Sequence, residues 1–106
     1  MKIIVISDTH GKHKALDNAL KNIDGDILIH CGDFTNLGYE HEIQSFINWF
    51  TKLDNFKHKF VIAGNHEITL DFEFYDNNWS RFHKKKQDCH KLVDWMTKNK
   101  HFTYEW

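Results

Sequence analysis

The sequence predicts an α/β fold, a parallel βαβαβ arrangement within one domain. Three apolar runs, Ile3–Ile6, Ile27–His30 and Phe60–Ala63, have the length and β-branched character of buried strands. The segments between them carry helical periodicity, and strand–helix–strand alternation implies a parallel sheet with right-handed crossovers. All three runs also end in glycine or in polar, ligand-type residues.

The elements follow in order. Ile3–Ile6 is an unbroken β-branched run. Lys14–Lys21 reads as a short amphipathic helix carrying Ala15, Leu16, Ala19 and Leu20. Ile23–Asp26, "IDGD", reads as a turn in which Gly25 supplies a positive φ. Ile27–His30 is the second strand, and "CGDFTNLG" after it is a loop. Glu40–Lys52 has the clearest pattern: Ile43, Phe46, Ile47 and Phe50 fall at i, i+3, i+4 and i+7. Phe60–Ala63 is the third strand and ends at Gly64. Leu70–Trp79 has room for a short helix. Gln87–Lys98 reads as a helix with Cys89, Leu92, Val93 and Met96 on one face. "HFTYEW", His101–Trp106, reads as the start of a strand. His30 is expected in the core, and His13, His41 and His58 on the surface.

A chain of 106 residues suffices for one small domain and not for two. Nine phenylalanines and four tryptophans give it material for a core. The net charge of −1 gives no whole-molecule reason to expect nucleic acid or an acidic membrane as partner. Lys84–Lys86 is too short a basic run to change that. Cys31 and Cys89 form no C-x-x-C pair and no disulfide framework, so they read as free thiols of a reducing compartment. The N-terminal apolar run is too short for a signal peptide, and no segment approaches the ~20 apolar residues of a membrane span. A cytoplasmic location, or the cytosol of a host, is the expectation.

The strand ends carry the chemistry. The first delivers Asp8 and His10, the second Gly32 and Asp33, the third Gly64, Asn65, His66 and Glu67. In a parallel sheet all C-terminal strand ends lie on one edge, so these residues should converge despite their separation in sequence. Carboxylate, imidazole and amide oxygen together suit divalent ions such as Zn, Mn and Fe. An aspartate can bridge two of them, and paired ions clamp the attacking and leaving oxygens of an in-line displacement at phosphorus. A sharp turn in a crowded site accounts for Gly32 and Gly64.

In order and spacing, "SDTHG", "GDFTNLG" and "VIAGNHE" resemble the D-x-H, G-D and G-N-H-[ED] blocks of the calcineurin-like metallophosphoesterases. The chain looks closest to the small metallophosphoesterase-domain-containing subgroup, which includes cyclic-nucleotide phosphodiesterase-like proteins. The resemblance covers residues 2–80 well and the remainder loosely. It implies the α/β metallophosphoesterase sandwich and hydrolysis of a phosphodiester or small phosphomonoester by a metal-bound hydroxide at a dinuclear site. Carried over residue by residue, it implies that Asp8 and His10 bind the first ion, Asp33 bridges both, and Asn65 binds the second. His66 is implied as the catalytic residue that contacts phosphate and protonates the leaving group, for which an imidazole is suited at neutral pH.

Two departures from the family pattern carry information. Where many members have G-D-x-x-D-R-G, this chain has Asn36 and Leu37, which argues against a protein Ser/Thr phosphatase. The later G-H and G-H-x-H blocks have no match: His83, His90 and His101 follow Phe82, Cys89 and Lys100. Residues 1–106 are therefore expected to correspond to the N-terminal half of a family domain. The rival to an enzyme is a remnant serving as a binding module or as half of a split enzyme. A parallel sheet wants cover on both faces, so a bare apolar face is expected, with self-association or a second chain as its consequence.

Overall fold

The computed structural model describes residues 1–105. Four strands form one parallel sheet in the order β1 (Ile3–Ile6), β2 (Gly25–His30), β3 (Phe56–Ile62) and β4 (Thr103–Glu105). Between β1 and β2 lie a 3-10 turn, His13–Leu16, and a single α-turn, α1 (Asp17–Leu20). Helix α2 (Glu40–Thr51) joins β2 to β3, and α3 (Phe72–Asn78) and α4 (Cys89–Thr97) precede β4. Residue Trp106, part of the expected last strand, lies outside the described residues.

The strand order is strictly sequential. With every crossover right-handed, such an order sends all helices to one face of the sheet. Burial follows suit. Leu28, His30, Lys59, Val61 and Tyr104 are buried against the helices. Their strand neighbours point the other way and remain open: Ile3 is 50 %, Val5 61 %, Phe60 37 % and Ile62 42 % exposed. The expected bare apolar face is therefore present among the described residues. Register lines it up, with Val5 beside Ile29 and Ile29 beside Phe60.

Several local expectations are corrected. Gly25 is not a turn residue with positive φ; it opens β2, and a Cβ there would lie 2.8 Å from the Phe56 ring. Strand β3 begins at Phe56, four residues before the apolar run. Its polar stretch misled because Lys59 turns inward and donates from Nζ to the carbonyls of Phe50 and Thr51, at the C-terminal end of α2. Burial lowers the Lys59 pKa. The helix expected over Lys14–Lys21 faces differently: Ala15 and Ala19 are exposed, and His13 joins Leu16 and Leu20 inside. His13, expected at the surface, is 1 % exposed, packed against the Trp49 ring at 5.0 Å and bonded to Ser45. The element order and α2, by contrast, follow the periodicity closely.

His30 is fully buried, as expected, and its surroundings define its tautomer. The Gly32 N–H donates to Nδ1 at 3.1 Å, so the ring proton sits on Nε2 and points at Thr9 Oγ1, 3.0 Å away. Burial pushes its pKa from 6.5 down to about 4; Asp8 and Asp33 pull upward, and His13 adds to the depression. The unfolded chain therefore takes up this proton first. The neutral ring's contribution is complete above pH 6.5 and is lost as pH falls towards 4, roughly 3 kcal/mol in all. Urea unfolding at pH 7 and pH 4.5 is expected to show that loss, and equal stability at both would remove His30 as its source.

Candidate metal centre at the strand ends

The loops after β1 and β2 are laid side by side by backbone bonds that continue the sheet's pairing. Cys31 N donates to Ile6 O at 2.8 Å, Asp8 N to Gly32 O at 3.0 Å, His10 N to Asp33 O at 3.0 Å and Gly11 N to Phe34 O at 2.9 Å. Three non-glycine residues in these loops have positive φ: Asp8 at 57°, His10 at 45° and Asp33 at 60°. Left-handed backbone costs a side-chain-bearing residue energy and is characteristic of functional sites. Here it falls on three of the residues singled out as metal ligands.

The third loop reaches the same place. The His66 N–H donates to Asp33 Oδ1 at 3.0 Å. With its amide nitrogen turned towards Asp33, Asn65 donates to both carboxylate oxygens at 3.1 Å. One donor atom each from His10, Asp33 and His66 lies within 4.8 Å of the others. Asp8 stands at the edge of this group, its Oδ1 3.7 Å from His10 Nε2. The Ser7 side chain, hydrogen-bonded to it, holds the exposed Asp8 carboxyl below its ordinary pKa.

Both histidines are oriented by backbone carbonyls. His10 Nδ1 is 3.2 Å from Thr35 O, and His66 Nδ1 is 2.8 Å from Asn36 O. A carbonyl only accepts, so in both neutral rings Nδ1 carries the proton and Nε2 presents a lone pair. This is how metal-binding imidazoles are commonly prepared.

Beneath the ligand-type residues sits one that sequence reasoning left without a role. Glu67, 1 % exposed, accepts at Oε1 from Asp33 N at 2.6 Å and Gly64 N at 3.0 Å. Its Oε2 accepts from Thr35 N at 3.1 Å and Thr35 Oγ1 at 2.9 Å. It thereby ties the β2 loop to the β3 loop. Burial raises its pKa, opposed by bonds from Gly64, Thr35 and Asp33. Its place directly after His66 was the one available signal. Glu42 was missed too: from the first turn of α2 it accepts from the backbone N–H groups of Asn36, Leu37 and Tyr39, and so pins the carbonyl that orients His66.

The two glycines behave differently. Gly32 has φ +101°, as a sharp turn requires. Gly64 has no positive φ; what it needs is space, since a Cβ there would lie 2.7 Å from Asp33 N. Beside His66 a cleft of about 490 Å³ opens, walled by Leu37, Ile68, Phe74 and Phe82, with Glu67 and Asp71 as its acidic residues. Cys31 is exposed and free, and Cys89 is buried, with its thiol pKa pushed up to about 11 by burial.

Comparison with known proteins agrees with this geometry. A sequence model of the calcineurin-like phosphoesterases matches residues 1–104. The chain is 42 % identical over 73 residues to human metallophosphoesterase domain-containing protein 1, covering 69 % of this chain and 21 % of that protein. Two proteins of Caenorhabditis elegans are similar: UPF0046 protein K07C11.7 is 42 % identical over 76 residues, and UPF0046 protein C25E10.12 is 49 % identical over 72 residues. They are matched over 69 % and 67 % of this chain, which spans 23 % and 24 % of their lengths.

Proposed function

This chain belongs to the calcineurin-like phosphoesterase family, and we propose that it is built for metal-dependent hydrolysis of a phosphodiester or small phosphomonoester. The observation that carries the reading is the meeting of three strand ends at one donor set, with His10, Asp33 and His66 within 4.8 Å of one another. The donor types fit Mn, Zn or Fe, and the carbonyl-oriented imidazole of His10 fits them better than a cluster of carboxylates alone would. Asp8, His10, Asp33 and Asn65 are the proposed ligands, and Asp33 would be the one shared where two ions bind. A divalent ion bound there supplies Lewis acidity towards phosphate oxygens and acidifies water.

The residues do the rest. His66 keeps its Nδ1 proton on Asn36 O. Any proton it gives to a leaving oxygen therefore comes from Nε2 of the imidazolium, and the ring stays oriented after donation. Glu67 and Glu42 hold the loops that place it. The adjoining cleft, with two acidic residues, Glu67 and Asp71, and no lysine or arginine, suits the organic part of a small ester better than a polyanion.

The test is hydrolysis of an activated aryl phosphodiester by the purified chain with added Mn or Zn. Turnover that disappears on chelation and falls at least about 100-fold in Asp33→Asn is the expected result, the scale of losing one group acting directly on the reaction. Turnover indifferent to both chelation and Asp33→Asn would overturn the reading.

A further inference from the structure

We propose that His83 is a positioning residue for His66: through the Leu37 carbonyl it fixes the loop whose Asn36 carbonyl holds the catalytic imidazole in its Nδ1–H form. The inference rests on the role given to His66 above. It adds a residue from the part of the chain where the family resemblance is loose.

By spacing, His83 matches no histidine block of the family. It lies between α3 and α4 and is only 3 % exposed. Its Nε2 is 2.9 Å from Leu37 O, and its Nδ1 is 2.8 Å from the Tyr75 hydroxyl. That hydroxyl, on a fully buried side chain, also accepts from Gln87 N at 2.8 Å. One assignment of protons satisfies every group. A carbonyl only accepts, so Nε2 carries the ring proton. Nδ1 then accepts from the Tyr75 O–H, whose oxygen takes the Gln87 N–H. Burial lowers the His83 pKa, opposed by the bond to Leu37 and by Glu42, so the ring is neutral at neutral pH and above.

The link to His66 runs through two neighbouring peptide units. The first joins Asn36 to Leu37: its carbonyl is 2.8 Å from His66 Nδ1, and its N–H donates to Glu42 Oε1 at 3.1 Å. The second joins Leu37 to Gly38: its carbonyl accepts from His83, and its N–H donates to Thr35 Oγ1 at 3.0 Å. The two planes share the Leu37 Cα, so turning one drags the other. Gly38, at φ 68°, offers the second plane little steric resistance to turning. The bond from His83 supplies that resistance. Without it the Asn36 carbonyl no longer points steadily at His66 Nδ1. The His66 ring is then free to take the Nε2–H form that unbound imidazole prefers, since the hydrogen bond at one nitrogen sets which nitrogen is protonated.

Histidine nitrogen-15 spectra of the full chain, recorded above the imidazole pKa with a chelator present, test this. Two substitutions separate hydrogen bonding from packing. His83→Gln keeps an N–H at the place of Nε2 and loses the ring. His83→Phe keeps a ring against Tyr39, whose own ring lies 4.1 Å from that of His83, and loses the N–H. We expect His66 to hold its proton on Nδ1 in the native chain and in His83→Gln. In His83→Phe its tautomer ratio should move towards Nε2–H by a factor of about 3 to 10, the worth of one hydrogen bond. His83→Asn, whose amide reaches only the place of Nδ1, should repeat that shift without added bulk, and it replaces the phenylalanine variant if that chain does not fold. An unchanged His66 tautomer in the folded variant lacking the N–H would overturn the proposal. So would an equal shift in His83→Gln, which would assign the effect to the ring. The spectra need neither ion nor turnover. Their failure leaves metal-dependent hydrolysis standing, and a chain that hydrolyses nothing leaves the His83 network standing.

Discussion

Glu67→Leu is expected to lower the melting temperature by about 12 °C or more and to abolish divalent-ion binding. The carboxylate is the shared acceptor of four donors, the N–H groups of Asp33, Thr35 and Gly64 and the Thr35 hydroxyl. Leucine has similar bulk and offers them nothing. A buried donor left unpaired costs about 1–3 kcal/mol, and the bonds to Thr35 are buried. Removing the desolvation penalty on Glu67 offsets part of this, which leaves on the order of 3 kcal/mol. For a domain of this size each kcal/mol shifts the melting temperature by about 4–8 °C. Ion binding suffers because the lost bonds set the backbone of Asp33 against that of Gly64. Glu67→Gln, which keeps one acceptor oxygen, should fall between the two. Thermal unfolding and Zn²⁺ titration of the three chains check the order. A leucine variant that melts within a few degrees of the native chain and binds Zn²⁺ as well would show that Glu67 neither braces the loops nor places the ligands.

Gly32→Ala is the second large effect, and it works by a different route. Gly32 combines a φ of +101° with a close approach: an added Cβ would lie 2.7 Å from Gly64 N and 2.9 Å from Gly64 Cα. Strained backbone for a non-glycine residue costs about 1–3 kcal/mol, and overpacking against rigid neighbours costs a further 1–3 kcal/mol or so. The neighbour here is backbone, which cannot swing aside like a side chain. Relief comes only by parting the β2 and β3 loops, which separates Asp33 from Asn65 and His66. Gly11→Ala is the matched control. Its φ of +80° is also positive, but the nearest atom to an added Cβ there, the side-chain nitrogen of Asn36, is 3.9 Å away. Urea unfolding should show a loss of about 3 kcal/mol or more for Gly32→Ala and clearly less for Gly11→Ala. Equal losses would mean that contact with Gly64 contributes nothing beyond the φ cost.

The sequence was readable where its signals are local. Periodicity belongs to a single element, so α2 and the order of strands and helices could be taken from spacing alone. The strand-end positions of Asp8, His10, Asp33, Asn65 and His66 were equally visible, because each follows an apolar run. Reading failed where a partner from elsewhere decides. His13 is polar and sits in a loop-like stretch, yet it is buried because Trp49 and Ser45 of α2 come to meet it. Lys59 looks like a surface residue and is buried because it can reach the carbonyl end of α2. Gly25 looks like a turn residue and is a glycine because Phe56, on the next strand, occupies the space of its Cβ.

The site divides along the same line. Residue types and their spacing were enough to name candidate donors and the edge of the sheet where they gather. They could not show that Glu67 ties two loops together, that Glu42 holds the carbonyl orienting His66, or that donor atoms of His66, His10 and Asp33 stand within 4.8 Å of one another. Those facts depend on three loops that are remote in sequence and are brought together by parallel pairing of the strands beneath them. Hydrophobic period and residue type are properties of a segment and survive in the unfolded chain. Tautomer, burial and donor separation are properties of the assembled sheet edge, and they exist only once the segments have met.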